Sequence, residues 1–187
     1  MILEDRLALC NSAEEIENTC LDFLIEDCPN DFTALKRLFD LYMNLERYVD
    51  AFQCAERLWE LSPQENYKYG FKIADACLVS GIYETALEIF SKLGKLDVPD
   101  RKIELDSRSR FGLAQSNIGL KKFDIAEEML KALISDYSDS YASYCALAVV
   151  YYENNDIKQS FEMLQKAIQI DPENNYARLL LKNIRGF

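Results

Sequence analysis

The chain contains no histidine, four prolines and six glycines among 187 residues, and each scarcity excludes something. Without imidazole there is no Ser-His or Cys-His nucleophile pair and no histidine metal site. No glycine-rich phosphate loop is present. The six cysteines, at 10, 20, 28, 54, 77 and 145, show no C-x-x-C spacing. They read as small apolar residues in a reducing compartment, with no disulfide framework expected. Long apolar runs are missing: the longest nearly uncharged stretch, Tyr141 to Tyr152, is too short to cross a bilayer. Glu4, Asp5 and Arg6 break the N-terminus where an export signal needs a basic start followed by an apolar stretch, so a cytoplasmic setting is expected.

Charge of one sign is also scarce. Lys and Arg number 21 against 32 Asp and Glu, a formal charge of −11, which repels phosphate backbones and argues against nucleic acid, including the RNA-reading helical repeats of about 35 residues. The carboxylates fall at helix caps and outer faces rather than in an acid-base constellation. The oxygen-rich stretch Asp171 to Asn175 lacks calcium-loop spacing and reads as a turn. No enzymatic activity and no cofactor are expected.

What is present is a repeat. Tyr144, Leu147, Ala148, Tyr151, Asn155, Ile157, Ser160, Leu164 and Ala167 each stand 34 residues after a partner: Arg110, Leu113, Ala114, Asn117, Lys121, Phe123, Ala126, Leu130 and Leu133. Gly70, Ile73, Ala74, Cys77, Gly81, Tyr83, Ala86, Phe90 and Leu93 form a third unit, and Leu35, Leu38, Phe39, Tyr42, Tyr48, Ala51, Ala55 and Leu58 a fourth. Within each unit the apolar residues recur at helical spacing, i, i+3, i+4, i+7. Ser12 with Glu15, Asp124 with Glu127, and Asp156 with Gln159 have the spacing of a helix-capping box. Pro29, Pro63 and Pro172 punctuate helix ends.

These residues and offsets resemble the tetratricopeptide repeat, which asks for Leu at position 7, a small residue at 8, Tyr at 11, Gly at 15, Ala at 20 and an aromatic at 24. The resemblance covers residues 32 to 174. It implies an all-α, right-handed superhelical solenoid of helix-turn-helix repeats. Its units are 32–66, 67–106, 107–140 and 141–174, preceded by a degenerate helical pair at 1–31 and closed by a capping helix at 175–187. The whole chain then forms one domain. Asn117 departs from the pattern at a tyrosine position, Lys121 and Glu46 at glycine positions, and Ala55 at an aromatic one. About six extra residues, Arg101 to Asp106, follow the unit from 67. Phe39 occupies a small-residue position, so the unit from 32 is expected to splay or to meet the N-terminal helices unusually. Ala177, Leu180, Leu181 and Ile184 are expected to face inward from the capping helix.

The resemblance also implies a function: the first helix of each unit lines a concave groove that holds a segment of a partner protein. Carried onto this sequence, the partner-binding residues are Lys36, Arg37, Lys68, Phe71, Lys72, Arg108, Phe111, Gln115, Val149 and Tyr152. Five of these are basic and are opposed only by Asp40 and Asp75, so the groove suits an acidic segment. The alternative is that those cations pair with Asp40 and Asp75 as a solvated face. The stretch Ala142, Cys145, Ala146, Val149 and Tyr152 suits apolar side chains, unless the capping helix or a neighbouring chain fills it. Two other roles stay open: self-assembly through Leu179, Phe187 and the N-terminal helices, and a chaperone of a secreted partner.

Overall fold

The computed structural model describes residues 2–138 and 140–185, with the backbone alone at 63–66 and 185; Phe187 lies outside them. Among the described residues there is no strand. A short helix, α1 (Leu3–Leu7), and a longer one, α2 (Ala13–Glu26), precede four hairpins. The hairpins are α3 (Phe32–Asn44) with α4 (Tyr48–Leu61), α5 (Pro63–Val79) with α6 (Tyr83–Leu93), α7 (Lys102–Gly119) with α8 (Phe123–Asp136), and α9 (Tyr141–Glu153) with α10 (Ile157–Ile170). Helix α11 (Tyr176–Arg185) closes the series. From α1 to α11 each helix packs on the next, and α5 also touches α7 and α7 touches α9. The result is a two-layer solenoid with the odd-numbered helices in one row.

One turn geometry recurs in all four hairpins. The second residue after the first helix of each hairpin, Glu46, Gly81, Lys121 or Asn155, takes a left-handed backbone with φ of 57°, 75°, 58° and 61°. The next amide then reaches back across the helix end: Arg47 to Tyr42, Ile82 to Cys77, Lys122 to Asn117 and Asp156 to Tyr151, at 2.8–2.9 Å. This is a Schellman closure, which satisfies a carbonyl that the helix end leaves unpaired. Glycine fits it without strain; Glu46 and Lys121 adopt it at a cost of about 1–2 kcal/mol each.

That closure decides where the following helix starts. Asp156, directly after the left-handed Asn155, caps α10 by accepting from the Gln159 amide at 3.0 Å. Lys122 holds the corresponding place before α8, which has no side-chain cap. Asp124 is therefore not a cap: the turn places it two residues late, inside the first helical turn, where its charge still favours the helix N-terminus. Ser12 does cap α2, accepting from the Glu15 amide at 3.1 Å, while Glu15 reaches back to the Asn11 amide at 2.6 Å.

The residues around 101–106 do not form a loop. Pro99–Arg101 make a single 3-10 turn, and Lys102 to Asp106 begin α7, lengthening it to 18 residues. Leu105 is buried there, and Asp106 accepts from Arg110 at 3.1 Å and from the Tyr137 hydroxyl at 3.0 Å, tying α7 to the end of α8. Phe39 causes no visible opening toward the leading helices. It is fully buried, its ring meeting Tyr69 of α5 edge-on at 4.9 Å, so room for its bulk comes from the next hairpin. Ala177 is buried on α11, and Leu180, Leu181 and Ile184 pack beside it against Cys145, Ala148 and Leu164.

Candidate functional site

The odd-numbered helices carry a row of aromatic rings with a cation over each. Phe39 lies under the Lys72 ammonium at 5.5 Å, Tyr69 under Lys68 at 5.9 Å, and Phe71 under the Arg108 guanidinium at 4.2 Å. A ring face attracts a cation and holds its stem against the apolar surface. Arg108 also pairs with Asp75 across the α5–α7 boundary at 2.6 Å. Lys36, Arg37, Lys68 and Lys72 form no ion pair among the described residues. Burial first, and then the negative charge of Asp40, push the Tyr69 phenol above its ordinary range, keeping it a neutral hydroxyl.

Of the sequence-derived residues, the structure brings Lys68, Lys72 and Arg108 onto one surface and leaves all three exposed. Phe71 sits beneath that surface, 1% exposed, as the ring on which Arg108 rests. Lys36 is exposed on α3. Arg37, one residue on, instead edges a hollow of about 320 Å³ shared with Glu4, Leu7, Ala8 and Ile16 of the leading helices. On α9, Val149 is half-buried and Tyr152 is exposed.

The apolar stretch on α9 needs correction. Cys145 and Ala146 are buried, at 2% and 6%. Cys145 belongs to the cluster that α11 covers, and the Tyr141 hydroxyl accepts the Ala177 amide at 2.8 Å to hold α11 there. Ala146 packs with Ala114 and Leu130 of the preceding hairpin. A helix that is apolar all round is a buried helix, and α9 is apolar because α7, α8, α10 and α11 surround it.

Open apolar surface lies instead between α5 and α7. A cavity of about 590 Å³ is bordered by Asp75, Leu78 and Val79 on one side and Arg108, Phe111, Gln115 and Ile118 on the other, over Gly112 and Gly119. Tyr83 and Phe90 of α6 complete its lining. A Cβ at Gly112 would stand 2.4 Å from the Phe90 ring, and one at Gly119 2.3 Å from the Tyr83 ring. The two glycines therefore let those rings lie directly against the α7 backbone. Sequence reasoning missed Tyr83 and Phe90 because both sit on the outer row of helices. The signal for them was two glycines seven residues apart on a lining helix.

Four of the six cysteines are packing residues. All six are free, and Cys20, Cys54, Cys77 and Cys145 are buried. Burial pushes the thiols of Cys20, Cys54 and Cys77 up to about 11, so they stay protonated and inert at neutral pH.

Sequence profiles described as tetratricopeptide repeat match residues 108–140 and 141–174. Residues 108–174 carry tetratricopeptide repeats. Such repeats form a protein-protein interaction scaffold. Among relatives, BBSome complex member BBS4 of Bos taurus is 29% identical over 141 residues, covering 73% of this chain and 24% of that protein. The chain thus spans about a quarter of that relative's length. Among solved structures, YrrB, described as a TPR protein with an unusual peptide-binding site, matches with a TM-score of 0.60 at 20% identity, over 90% of this chain and 84% of YrrB. MamA from Desulfovibrio magneticus RS-1 matches with a TM-score of 0.57 at 15% identity, over 92% of this chain and 93% of MamA. Likeness at such identities shows the tetratricopeptide solenoid and nothing finer. No helix among the described residues is long and apolar enough to cross a membrane.

Proposed function

We propose that the row of odd-numbered helices binds an acidic segment of a partner protein that also carries apolar side chains. The supporting observation is the set of cations at Lys68 and Lys72, held up by aromatic rings and unpaired among the described residues, in a protein of net charge −11. Local positive charge on a negative protein steers carboxylates toward it and gives them charge-assisted partners. Arg108 contributes less, since Asp75 already balances it. The same reading takes the chain as one domain of four repeats, 32–66, 67–106, 107–140 and 141–174, and its buried free thiols suit a cytoplasmic setting.

The test is the double reversal Lys68→Glu with Lys72→Glu, measured by fluorescence anisotropy against labelled acidic peptides. Binding should fall at least tenfold while circular dichroism stays unchanged. Equal affinity in the variant removes the reason for naming these residues.

Self-assembly is favoured by one observation. The outer face of α2 pairs exposed Ile25, 76% accessible, with Asp22 and Glu26, the chemistry that the groove of a second copy would accept. Sedimentation at micromolar concentration separates the two, because a monomer rejects assembly.

A further inference from the structure

Resting on that reading, we propose that the cavity between α5 and α7 is an anchor pocket. It receives one large apolar side chain of the acidic partner segment, at a fixed distance from the carboxylate that meets Lys72.

Position by position, α7 differs from the other lining helices. Where α7 has Gly112, the others place Arg37, Lys72 and Ala146; where it has Gly119, they place Asn44, Val79 and Glu153. Glycine within a helix costs about 1 kcal/mol relative to alanine, and α7 carries two on one face. The Phe90 and Tyr83 rings lie where side chains at 112 and 119 would stand, so the recess beside them has helix backbone and those rings as its floor and Leu78, Phe111 and Ile118 as its walls. About 590 Å³ lies within the range of ordinary ligand pockets and exceeds the needs of one aromatic side chain. At the rim, Val79 is 90% exposed, which places an unpartnered branched apolar residue at the mouth of an apolar recess.

Charge complementarity names the occupant. Lys72 lies on α5 six to seven residues before Leu78 and Val79, roughly 10 Å at the helical rise. A carboxylate over Lys72 and a side chain in the pocket are then about three residues apart in an extended segment, or about seven in a helix. Asp75 and Arg108, paired at the rim, neutralise each other, so the pocket itself asks for no charge.

The test is selection of a random 14-residue peptide library on the full chain, followed by affinity measurement of the enriched peptides. Phe, Leu or Trp should be enriched at one constant spacing, about three or about seven, from Asp or Glu. Gln115→Trp, which fills the recess from its edge, should weaken those peptides at least tenfold with helicity and unfolding midpoint unchanged. Should that variant misfold, Val79→Asp at the exposed rim carries the same expectation. Acidic peptides with no apolar requirement, bound equally by Gln115→Trp, overturn the pocket and leave the groove reading standing. Apolar peptides bound equally by the Lys68→Glu, Lys72→Glu variant overturn the acidic reading and, with it, the spacing rule. Absence of any enriched motif overturns both. A dimer that Gln115→Trp dissolves assigns the recess to a second copy and overturns the partner proposal.

Discussion

Helices α5 and α9 occupy the same row of one solenoid, yet the mixed α5 borders an open apolar recess while most of the apolar α9 is buried. Around α9, the preceding hairpin, its own partner α10 and the closing helix α11 cover three sides. Around α5 the flanks are covered too, but on the opposing helix α7 the Phe90 and Tyr83 rings lie directly against two glycines, and a recess lined by those rings remains. Apolar content on a lining helix is thus no measure of docking surface. What decides is whether a neighbour reaches the same side chains first.

The largest expected effect tests the closed side of this contrast. Val150→Asp places a carboxylate in a fully buried site on α9, which should cost more than about 3 kcal/mol and lower the urea midpoint accordingly. A small loss would mean that α9 is more open than its neighbours suggest. Next, Gly112→Ala drives a methyl group to 2.4 Å from the Phe90 ring and should cost about 1–3 kcal/mol by the same assay. Tyr141→Phe leaves the Ala177 amide without its 2.8 Å partner, a loss of about 1 kcal/mol. That change loosens α11, so thiol-labelling of Cys145 should accelerate, turning part of the closed helix toward the open kind.

Alkaline titration probes the buried back of α5. Cys77 titrates near 9.0 when unfolded and about 11 when folded, because burial disfavours the thiolate. A raised folded value means its contribution is fully present below pH 9 and is lost as pH climbs toward 11. Thermal midpoints should therefore fall over that window, and Cys77→Ala should flatten the slope. The smallest effect belongs to the open front: Val79→Asp should shift stability by no more than about 0.5 kcal/mol, which a denaturant curve checks directly. A large shift there would erase the difference between the two helices.

Much of the architecture was legible in order along the chain. Leu35, Leu38 and Tyr42, or Ala126, Leu130 and Leu133, are buried where helical spacing puts them, because one face of a helix must leave water whatever it meets. Local signals erred where a neighbouring turn had prior claim. Asp124 and Glu127 have capping spacing, but the closure at Lys121 starts α8 at Phe123. Site residues were legible as positions on lining helices and not as surfaces. Phe71 lies under Arg108, Arg37 turns toward α1 and α2, and Cys145 is roofed by α11.

The residue series by itself determined the helices, their pairing into hairpins and the tetratricopeptide identity, since spacing and side-chain size act within a few residues of one another. Only the tertiary structure decided that Lys68, Lys72 and Arg108 share a face, that α9 is closed and that a recess opens at Gly112 and Gly119. Exposure is a property of what lies opposite, and the groups opposite these residues stand some 20 to 36 positions away in the chain, as Phe90 does from Gly112 and Tyr141 from Ala177.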